Sequence, residues 1–304
     1  MTKRRAIPKA KKQRRNWNLF FLALPLMLLV VLFSYVPLAG WLLSFIEYRP
    51  GYPLLENAFV GLKYYEMVLT SPDILRAFKN TLIFSTLNFC LLPLPMIFAI
   101  LLNEIESSKF RKVAQTFTTL PHFISWIIVY SLAFAIFSRE GMLNQILNIL
   151  GLPEQSVLTD RKAVYWFQTI ITQWKSLGWS AIIYIASIAG IDTELYEAAA
   201  IDGANRFHMA IHITFPGLLQ TFIVLMLLGI SGFINNGMDQ YYVFKNSIVY
   251  RNIEVIDLYT YRMGLQVGDY SYATTVGILK SIVSIFLLFS ANGIAKKIRG
   301  ASII

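Results

Sequence analysis

The sequence predicts an all-α membrane protein with six transmembrane helices. Hydrophobic residues fill 56% of its 304 positions and the mean hydropathy is +0.55, which is high for a soluble domain. Six stretches reach the roughly 20 apolar residues that a membrane-spanning helix needs, and no alternating pattern of a membrane barrel recurs along them. The predicted spans are residues 17–46, 78–102, 116–137, 164–190, 217–234 and 272–294.

Basic residues predict the side of the membrane on which each segment lies. Residues 1–16 carry eight Lys or Arg and no acid, and such a cluster beside a first span stays in the cytoplasm. Six spans then place both termini in the cytoplasm, with residues 17–295 as the transmembrane domain and 296–304 as a cytoplasmic tail. The net charge of +10 lies mainly beside an apolar span, which favours anionic membrane lipid over nucleic acid as its partner.

Proline residues predict bends in the first two spans. Pro25 and Pro37 each remove a backbone hydrogen bond from span one, and Pro37 is its predicted outer end. Pro93 and Pro95 exclude a uniform straight helix for span two. Broken helices often lie beside transport pathways, so Asn88 in span two is a candidate pathway residue, although neighbouring helices can also replace the lost hydrogen bonds.

Span three carries an aromatic and polar pattern. His122, Trp126 and Tyr130 are four residues apart and would share one helix face. Sugars expose C–H faces that pack on aromatic rings, so Trp126 and Tyr130 are candidate sugar contacts. Helix packing or an interfacial aromatic belt explains the same residues, and both interpretations stay open.

Two lysines lie inside predicted spans. A charge in the middle of a bilayer costs ~2.5 kcal/mol or more on insertion scales, so Lys175, beside Trp174 in span four, is expected to face protein or a water-filled cavity. Lys280 in span six raises the same question. The two cations could line a route for acidic saccharides, or they could donate to helix carbonyls in a structural role. Trp174, Lys175 and Lys280 are therefore candidate pathway residues.

The segment between spans four and five, residues 191–216, is a polar interruption of two strongly apolar spans. Asp192 or Thr193 can cap a helix start, and Gly203 offers the left-handed conformation that ends a helix. Pro216 is placed to open the next helix. The sequence therefore predicts a helix-turn-helix with a small-residue face suited to docking another protein.

That segment closely resembles the coupling loop of permease subunits of ABC importers, which reads E-A-A-x3-G-x9-I-x-L-P. The matching residues are Glu197, Ala198, Ala199, Gly203, Ile213 and Pro216, with Phe215 in place of the usual leucine. The resemblance implies a type I ABC importer permease fold with a cytoplasmic coupling helix. It also implies that this loop fits a groove on a separate ATP-hydrolysing subunit.

Two outer segments extend the resemblance to carbohydrate importers. The sequence F-V-G-L-K-Y-Y at 59–65 is similar to the segment before the second span of carbohydrate-type permeases. The sequence at 250–265 resembles the corresponding region of permeases that import complex oligosaccharides. Alternation at 255–261 is compatible with a short strand or a helix. In the same outer segment, Asn235 and Asn236 are candidate pathway residues.

The resemblance implies a transport function that several chains share in a bacterial cytoplasmic (inner) membrane. This chain would pair with a second, homologous permease subunit. Two ATP-binding subunits would hold ATP and magnesium, and this chain would bind no cofactor itself. An extracytoplasmic solute-binding protein would deliver the substrate, an oligosaccharide that is either neutral or acidic.

Missing motifs argue against an enzyme. The chain has no G-x-x-x-x-G-K-[ST] phosphate loop and no G-x-S-x-G nucleophile motif. Its three histidines form no H-E-x-x-H pattern, so no metal site is predicted. Cys90, the only cysteine, is predicted to be an inert buried thiol.

Two alternative functions belong to other classes of membrane protein. An ion-coupled secondary transporter usually has paired repeats and carboxylates near the midplane. The sequence shows no internal repeat and no Asp or Glu well inside a predicted span, which disfavours such a carrier. A membrane receptor or scaffold would use the loop at 191–216 as a general docking element. Co-purification of an ATPase distinguishes the importer from both alternatives.

Overall fold

A computed structural model describes residues 17–299, so the predicted basic tail at 1–16 and the last five residues lie outside the described residues. Within 17–299 the protein is helical, and one isolated β-bridge joins Ile46 to Phe59. Five helices are long and apolar enough to cross a membrane, and a sixth crossing results if one sharply bent helix pair counts as a single span. The architecture agrees with the predicted all-α, six-span class.

Span one is a continuous helix that changes its pitch twice. Helix α1 (Trp17–Val30) continues through Pro25, a π-helical turn follows at Val31–Tyr35, and a 3-10 helix covers Val36–Phe45. Pro37 is near the start of the 3-10 helix, where a missing N–H is tolerated. The helix continues past Pro37, so the suggested outer end there is wrong, whereas the predicted span 17–46 agrees with the candidate span Phe20–Phe45.

Span two is broken at the prolines, as the sequence predicts. Helix α2 (Lys63–Thr70) precedes the span, which consists of α3 (Pro72–Cys90) and α4 (Leu94–Asn103) joined by a turn. The Cys90 side chain is exposed, so the prediction of a buried thiol is wrong. The physical reason is the break itself, which ends α3 at Cys90 on the surface of the chain.

The region of predicted span three (116–137) contains two α-helices joined by a non-α segment, and its part that is long and apolar enough to cross a membrane is Trp126–Ile149. The elements of this region are α5 (Ser108–Thr119), a 3-10 turn (Leu120–Phe123) and α6 (Trp126–Phe137), followed by α7 (Met142–Ile149). His122 lies in the 3-10 turn and stacks on Trp179, with 4.6 Å between ring centroids. The prediction that His122 shares a helix face with Trp126 and Tyr130 is therefore wrong, because the α-helix starts only at Trp126.

Span four is the long helix α8 (Ala163–Ile188), followed after a bend of 74° by α9 (Thr193–Ile201). The Asp160 carboxylate precedes α8 and accepts hydrogen bonds from the backbone N–H groups of Ala163 (3.0 Å) and Lys162 (2.7 Å). These bonds favour the ionised carboxylate and hold the pKa of Asp160 below its usual value. Asp160 thus caps the start of span four.

Span five continues the second half of the coupling loop without interruption. Helix α10 (Arg206–Met209), a π turn (Ala210–Thr214) and α11 (Phe215–Ser231) form one helix of 26 residues. Pro216 is in the first turn of α11, as the sequence predicts. No break precedes it, because the wider π turn accommodates a residue that cannot donate an N–H.

The segment between spans five and six folds into three short helices before span six begins. The three helices are α12 (Asp239–Phe244), α13 (Tyr250–Ile253) and α14 (Ile256–Tyr261). A π turn (Arg262–Gln266) then leads to span six, the final helix α15 (Tyr270–Arg299). The stretch 255–261, for which the sequence allowed a strand or a helix, contains helix α14.

This outer segment supplies much of the hydrophobic core. Tyr241, Ile253 and Val255 are buried and pack in one cluster with Phe84 of span two and Phe167 of span four. Burial of such apolar surface stabilises a fold by about 25 cal/mol per Å². The segment is therefore a structural part of the transport domain and not a peripheral loop.

A buried carboxylate fixes the same segment to span two. Glu254 is fully buried and accepts hydrogen bonds from Arg262 (2.7 Å), Tyr250 (2.9 Å) and Arg76 (3.3 Å). A buried carboxylate is tolerated only when donors replace its hydration. The three donors meet this requirement, and Arg76 connects the cluster to α3.

Helices α5 and α8 approach each other closely at Gly178. A Cβ atom at this position would lie 2.2 Å from the Thr118 carbonyl oxygen and 2.7 Å from the Thr119 nitrogen. Both contacts are with backbone, which cannot rotate away as a side chain can. Gly178 therefore permits direct backbone contact between α8 and α5, a role typical of glycine in membrane helices.

Candidate functional site

The coupling loop has the helix-turn-helix form that its sequence predicts. Asp192 caps α9 by accepting a hydrogen bond from the Glu194 N–H (3.0 Å). The helix ends at Ile201. Gly203 follows with a φ of +80°, and the Ala204 N–H closes the turn by donating to the Ala199 carbonyl (2.9 Å). Only glycine adopts this left-handed conformation without strain.

The predicted coupling residues differ in exposure. Glu197, Ala198, Gly203 and Pro216 are exposed, whereas Ala199 and Ile213 are half-buried. Beside them, the exposed fractions of Ile201 and Phe207 are 87% and 71%. Large exposed apolar side chains next to polar ones are typical of a protein interaction site. The E-A-A pattern alone did not indicate Ile201 or Phe207.

Polar contacts hold α9 against the helix that continues as span five and join the coupling loop to the turn after span two. The Tyr196 hydroxyl and the Thr214 hydroxyl lie 2.9 Å apart and join α9 to span five. Arg206 pairs with Glu106 at 2.7 Å, between its Nη2 and Oε1 atoms, and so reaches the turn that follows span two. A displacement of α9 would therefore be transmitted to more than one span.

A cavity of about 600 Å³ lies between spans two, four and five and the outer segment. Its polar lining residues carry amide or hydroxyl groups and no formal charge: Ser85, Asn88, Thr172, Gln173, Ser176, Ser180, Tyr184, Asn235, Asn236, Gln240 and Tyr241. Trp179 and Phe233 are among the aromatic lining residues. A volume of this size is in the range of ligand-binding cavities.

Hydrogen bonds between the amides fix the cavity wall. Gln173 Nε2 donates to Asn88 Oδ1 (3.1 Å) across spans four and two. Gln240 Nε2 donates to the backbone carbonyl of Gln168 (2.9 Å), and Gln240 Oε1 accepts from the Thr172 hydroxyl (2.8 Å). These pairs set the orientation of the amides and leave further lone pairs and N–H groups for a bound molecule.

The structure brings only some of the predicted pathway residues together. Asn88, Asn235 and Asn236 line the cavity. Trp126, Tyr130, Trp174, Lys175 and Lys280 lie outside it. Tyr130 instead packs edge-to-face on Phe244, with 5.1 Å between ring centroids, and Trp126 packs against the same core cluster. Core packing, the alternative that the sequence left open, describes these two aromatic residues.

Span four contains cavity residues that the sequence did not single out. Thr172, Ser176 and Ser180 all line the cavity and are four residues apart. This spacing places them on one face of a helix. A search for polar stripes on otherwise apolar spans would have identified this wall.

Lys175 is engaged with backbone where span three is broken. Its Nζ donates to the carbonyls of His122 (2.6 Å) and Pro121 (3.0 Å), and lies 5.4 Å from the centre of the Trp126 ring. The 3-10 turn leaves these carbonyls without the regular α-helical pairing. The contacts match the structural alternative for Lys175, donation to helix carbonyls.

Lys280 in span six pairs with Asp257 of α14. Asp257 lies outside the predicted spans, in the outer segment, as the sequence predicts, but the sequence did not indicate its contact with span six. The folding of this segment back into the protein brings Asp257 to span six. Since Asp257 is paired with a lysine, it is not a free carboxylate of the kind that binds a coupling ion.

Comparison with known proteins places this geometry in a family. A model described as "Binding-protein-dependent transport system inner membrane component" matches residues 92–300, which include the whole coupling loop and most of the cavity. The chain belongs to this family. The permease is 39% identical over 293 residues to Protein LplB of Bacillus subtilis (strain 168), across 95% of this chain and 91% of LplB.

Other relatives of the permease carry substrate names. The polygalacturonan/rhamnogalacturonan transport system permease protein YteP of Bacillus subtilis (strain 168) is 37% identical, across 92% of this chain and 88% of YteP. A chain of a bacterial alginate ABC transporter, crystallised with an alginate pentasaccharide-bound periplasmic protein, superposes with a TM-score of 0.86 at 31% identity. That superposition covers 95% of this chain and 98% of the other.

These matches confirm that the protein is a carbohydrate-type ABC importer permease with the predicted helical membrane fold. It is a multi-pass membrane protein and a transport component rather than an enzyme. The roles of individual coupling and pathway residues stay predictions, as does the cytoplasmic placement of both termini.

Proposed function

We propose that the permease imports acidic oligosaccharides into the cytoplasm as one subunit of an ATP-driven complex. The observation that carries the proposal is the cavity, whose wall combines amides and hydroxyls with aromatic rings and no charge. Saccharide hydroxyls require many donors and acceptors, and their C–H faces pack on rings such as Trp179. Neutral amides and hydroxyls supply both the donors and the acceptors without holding the sugar too tightly to be released.

The acidic character of the substrate is supported by the relatives. YteP is named for polygalacturonan and rhamnogalacturonan, and a second matched structure is described as importing the acidic polysaccharide alginate. In this proposal neutral N–H and O–H donors of the cavity bind the substrate carboxylates. Lys175 and Lys280 are not required for that contact, because carbonyls and Asp257 already occupy them.

The complex in this proposal contains five protein chains besides the substrate. A second, homologous permease completes the membrane domain, an extracytoplasmic binding protein delivers the saccharide, and two ATPase subunits hold ATP and magnesium. ATP binding closes the ATPases and draws the α9 loop inward, which turns the cavity from inward-facing to outward-facing. Exposed Glu197 makes an ionic contact in the ATPase groove, and Ile201 and Phe207 supply its apolar area.

The first prediction concerns attachment of the ATPase. Glu197→Ala and Gly203→Asp are each expected to weaken recovery of the ATPase, because one removes the ionic contact and the other adds charge and backbone strain at the docking turn. The measurement is a pull-down of the detergent-solubilised permease from its native membranes with identification of the bound subunits. Glu140→Ala is the matched control, because it removes an exposed acid from a segment far from the loop.

Full ATPase recovery with both loop variants would overturn the assignment of the coupling site. A wild-type complex without any ATPase would overturn the importer proposal itself. An ion-coupled carrier or a receptor would then have to be considered, since each works without an ATPase.

A second prediction concerns the cavity. Asn88→Ala removes an amide that faces the cavity and is expected to raise the apparent KM for saccharide uptake about tenfold, the equivalent of one lost hydrogen bond of ~1.4 kcal/mol. The measurement is uptake of trigalacturonate by the reconstituted importer. Asn148→Ala, which removes an exposed amide outside the cavity, should leave KM as it is. Equal KM values for Asn88→Ala and wild type would exclude Asn88 from the pathway.

A further inference from the structure

Several hydrogen bonds hold the cavity wall formed by residues 235–241. Asn236 Oδ1 accepts a hydrogen bond from the Ser85 hydroxyl of span two (2.8 Å). Gln240, at the other end of the wall, is held by the Gln168 backbone carbonyl and the Thr172 hydroxyl of span four. Between these two points, the Gly237 N–H donates to Asp257 Oδ2 (2.9 Å). This middle contact holds the backbone at the turn, next to the Asn235 N–H, which donates to the Gly232 carbonyl (2.8 Å).

Asp257 is in turn held by span six. Its other carboxylate oxygen, Oδ1, pairs with Lys280 Nζ. Neither side chain lines the saccharide cavity. Lys280 lies about 15 Å along α15 from its first residue, at 1.5 Å per residue, and is surrounded by apolar side chains such as Ile256 and Val276. At such a depth each charge needs the other.

The backbone at Gly237 is the reason why this contact affects the wall. Gly237 has a φ of +71°, a conformation that glycine adopts freely and leaves just as freely. Its N–H lies directly beside the two cavity amides, Asn235 and Asn236. The Asn236 side chain is held by Ser85 and by the Thr81 carbonyl, so the bond to Asp257 is what holds the Gly237 N–H itself.

We propose that Asp257 and Lys280 are positioning residues that shape the cavity wall and thereby set which saccharides the permease accepts. Lys280 orients the Asp257 carboxylate, and Asp257 holds the Gly237 turn that carries Asn235 and Asn236. The inference rests on the proposed function of the cavity as the saccharide pathway. It assigns Lys280 an effect on substrate choice without any contact between Lys280 and the substrate.

Two double variants separate this role from simple stabilisation. Asp257→Asn/Lys280→Met removes both charges and keeps a carbonyl oxygen that can accept the Gly237 N–H. Asp257→Leu/Lys280→Met is also neutral and of similar shape, but it offers no acceptor. Replacing a buried ion pair by apolar residues of similar volume is often tolerated, so both proteins are expected to fold. Ser290→Ala, a half-buried position on the same helix whose hydroxyl donates to the Phe286 carbonyl of that helix, is the control.

The experiment uses the purified full importer complex and two readouts. Hydrogen exchange of the peptide that contains Gly237 reports on the turn without any substrate. Reconstituted uptake of digalacturonate, trigalacturonate and maltotriose gives KM and Vmax for each probe. With the leucine variant we expect faster exchange and a KM for trigalacturonate raised about tenfold, the effect of one misplaced hydrogen-bonding group. With the asparagine variant, exchange and KM should return to within about threefold of the wild-type values.

Other results would contradict the inference. If the leucine and asparagine variants exchange at the same rate, Asp257 does not hold the turn. If their exchange differs but their KM values agree for all three probes, the turn does not set selectivity. If the wild-type complex takes up none of the probes, the proposed substrate class is wrong, and the proposed effect of Asp257 on substrate choice is wrong as well. Hydrogen exchange would still decide whether Asp257 holds the turn at Gly237.

Discussion

Gly178→Ala is expected to reduce the yield of folded permease more than any other single methyl group added to the chain. The new Cβ would lie 2.2 Å from the Thr118 carbonyl oxygen, so α8 and α5 would have to separate. Overpacking of this kind costs about 3 kcal/mol, and each 1.4 kcal/mol is about a tenfold change in an equilibrium. The measurement is the amount of monodisperse protein recovered from membranes in detergent.

Gly277→Ala is the matched control for this prediction. Gly277 lies within α15, and a Cβ atom there would meet nothing within 4 Å. Alanine also favours a helix by up to ~1 kcal/mol over glycine. The control should therefore be recovered at the wild-type level or above. Equal yields of Gly178→Ala and Gly277→Ala would show that the two helices do not pack as closely as described.

Lys175→Met is expected to lower the free energy of unfolding by about 2 kcal/mol, because it takes the charged donor away from two carbonyls in the break of span three, of which one keeps the Ile124 N–H. Those carbonyls belong to Pro121 and His122. The measurement is thermal unfolding of the purified complex, followed by tryptophan fluorescence. Lys175→Gln keeps an N–H donor on a shorter side chain and should retain part of the stability.

Uptake measurements on Lys175→Met distinguish a structural lysine from a substrate ligand. A structural role lowers stability and leaves the ratio of KM values for trigalacturonate and maltotriose unchanged. If Lys175 instead binds substrate carboxylates, that ratio should rise while the melting temperature stays constant. The second outcome would restore the route for acidic saccharides along Lys175.

Local signals in the sequence were sufficient for much of this protein. Apolar length fixed the number of spans, because the bilayer thickness sets that length. Pro93 marked the break in span two, and Asp192 and Gly203 marked the ends of α9, because caps and left-handed turns depend on one or two residues. The coupling loop was readable for the same reason, since its pattern is contiguous.

Contacts between distant parts of the chain were not readable in this way. Asp257 and Lys280 are 23 positions apart, and only the return of the outer segment into the protein brings them together. Likewise, Tyr130 matches a sugar contact by type, yet its ring packs on Phe244. Residue type and helical spacing give a face, but the neighbour of that face depends on the whole fold.

The break in span two has a practical consequence for watching the transporter at work. Cys90 ends α3 with an exposed side chain, and its neighbours Phe89 and Leu91 both line the cavity. Since the chain has one cysteine, a maleimide dye or nitroxide attaches at a single position without any background substitution. The unmodified permease therefore already carries one of the two label sites that a distance measurement across the complex requires.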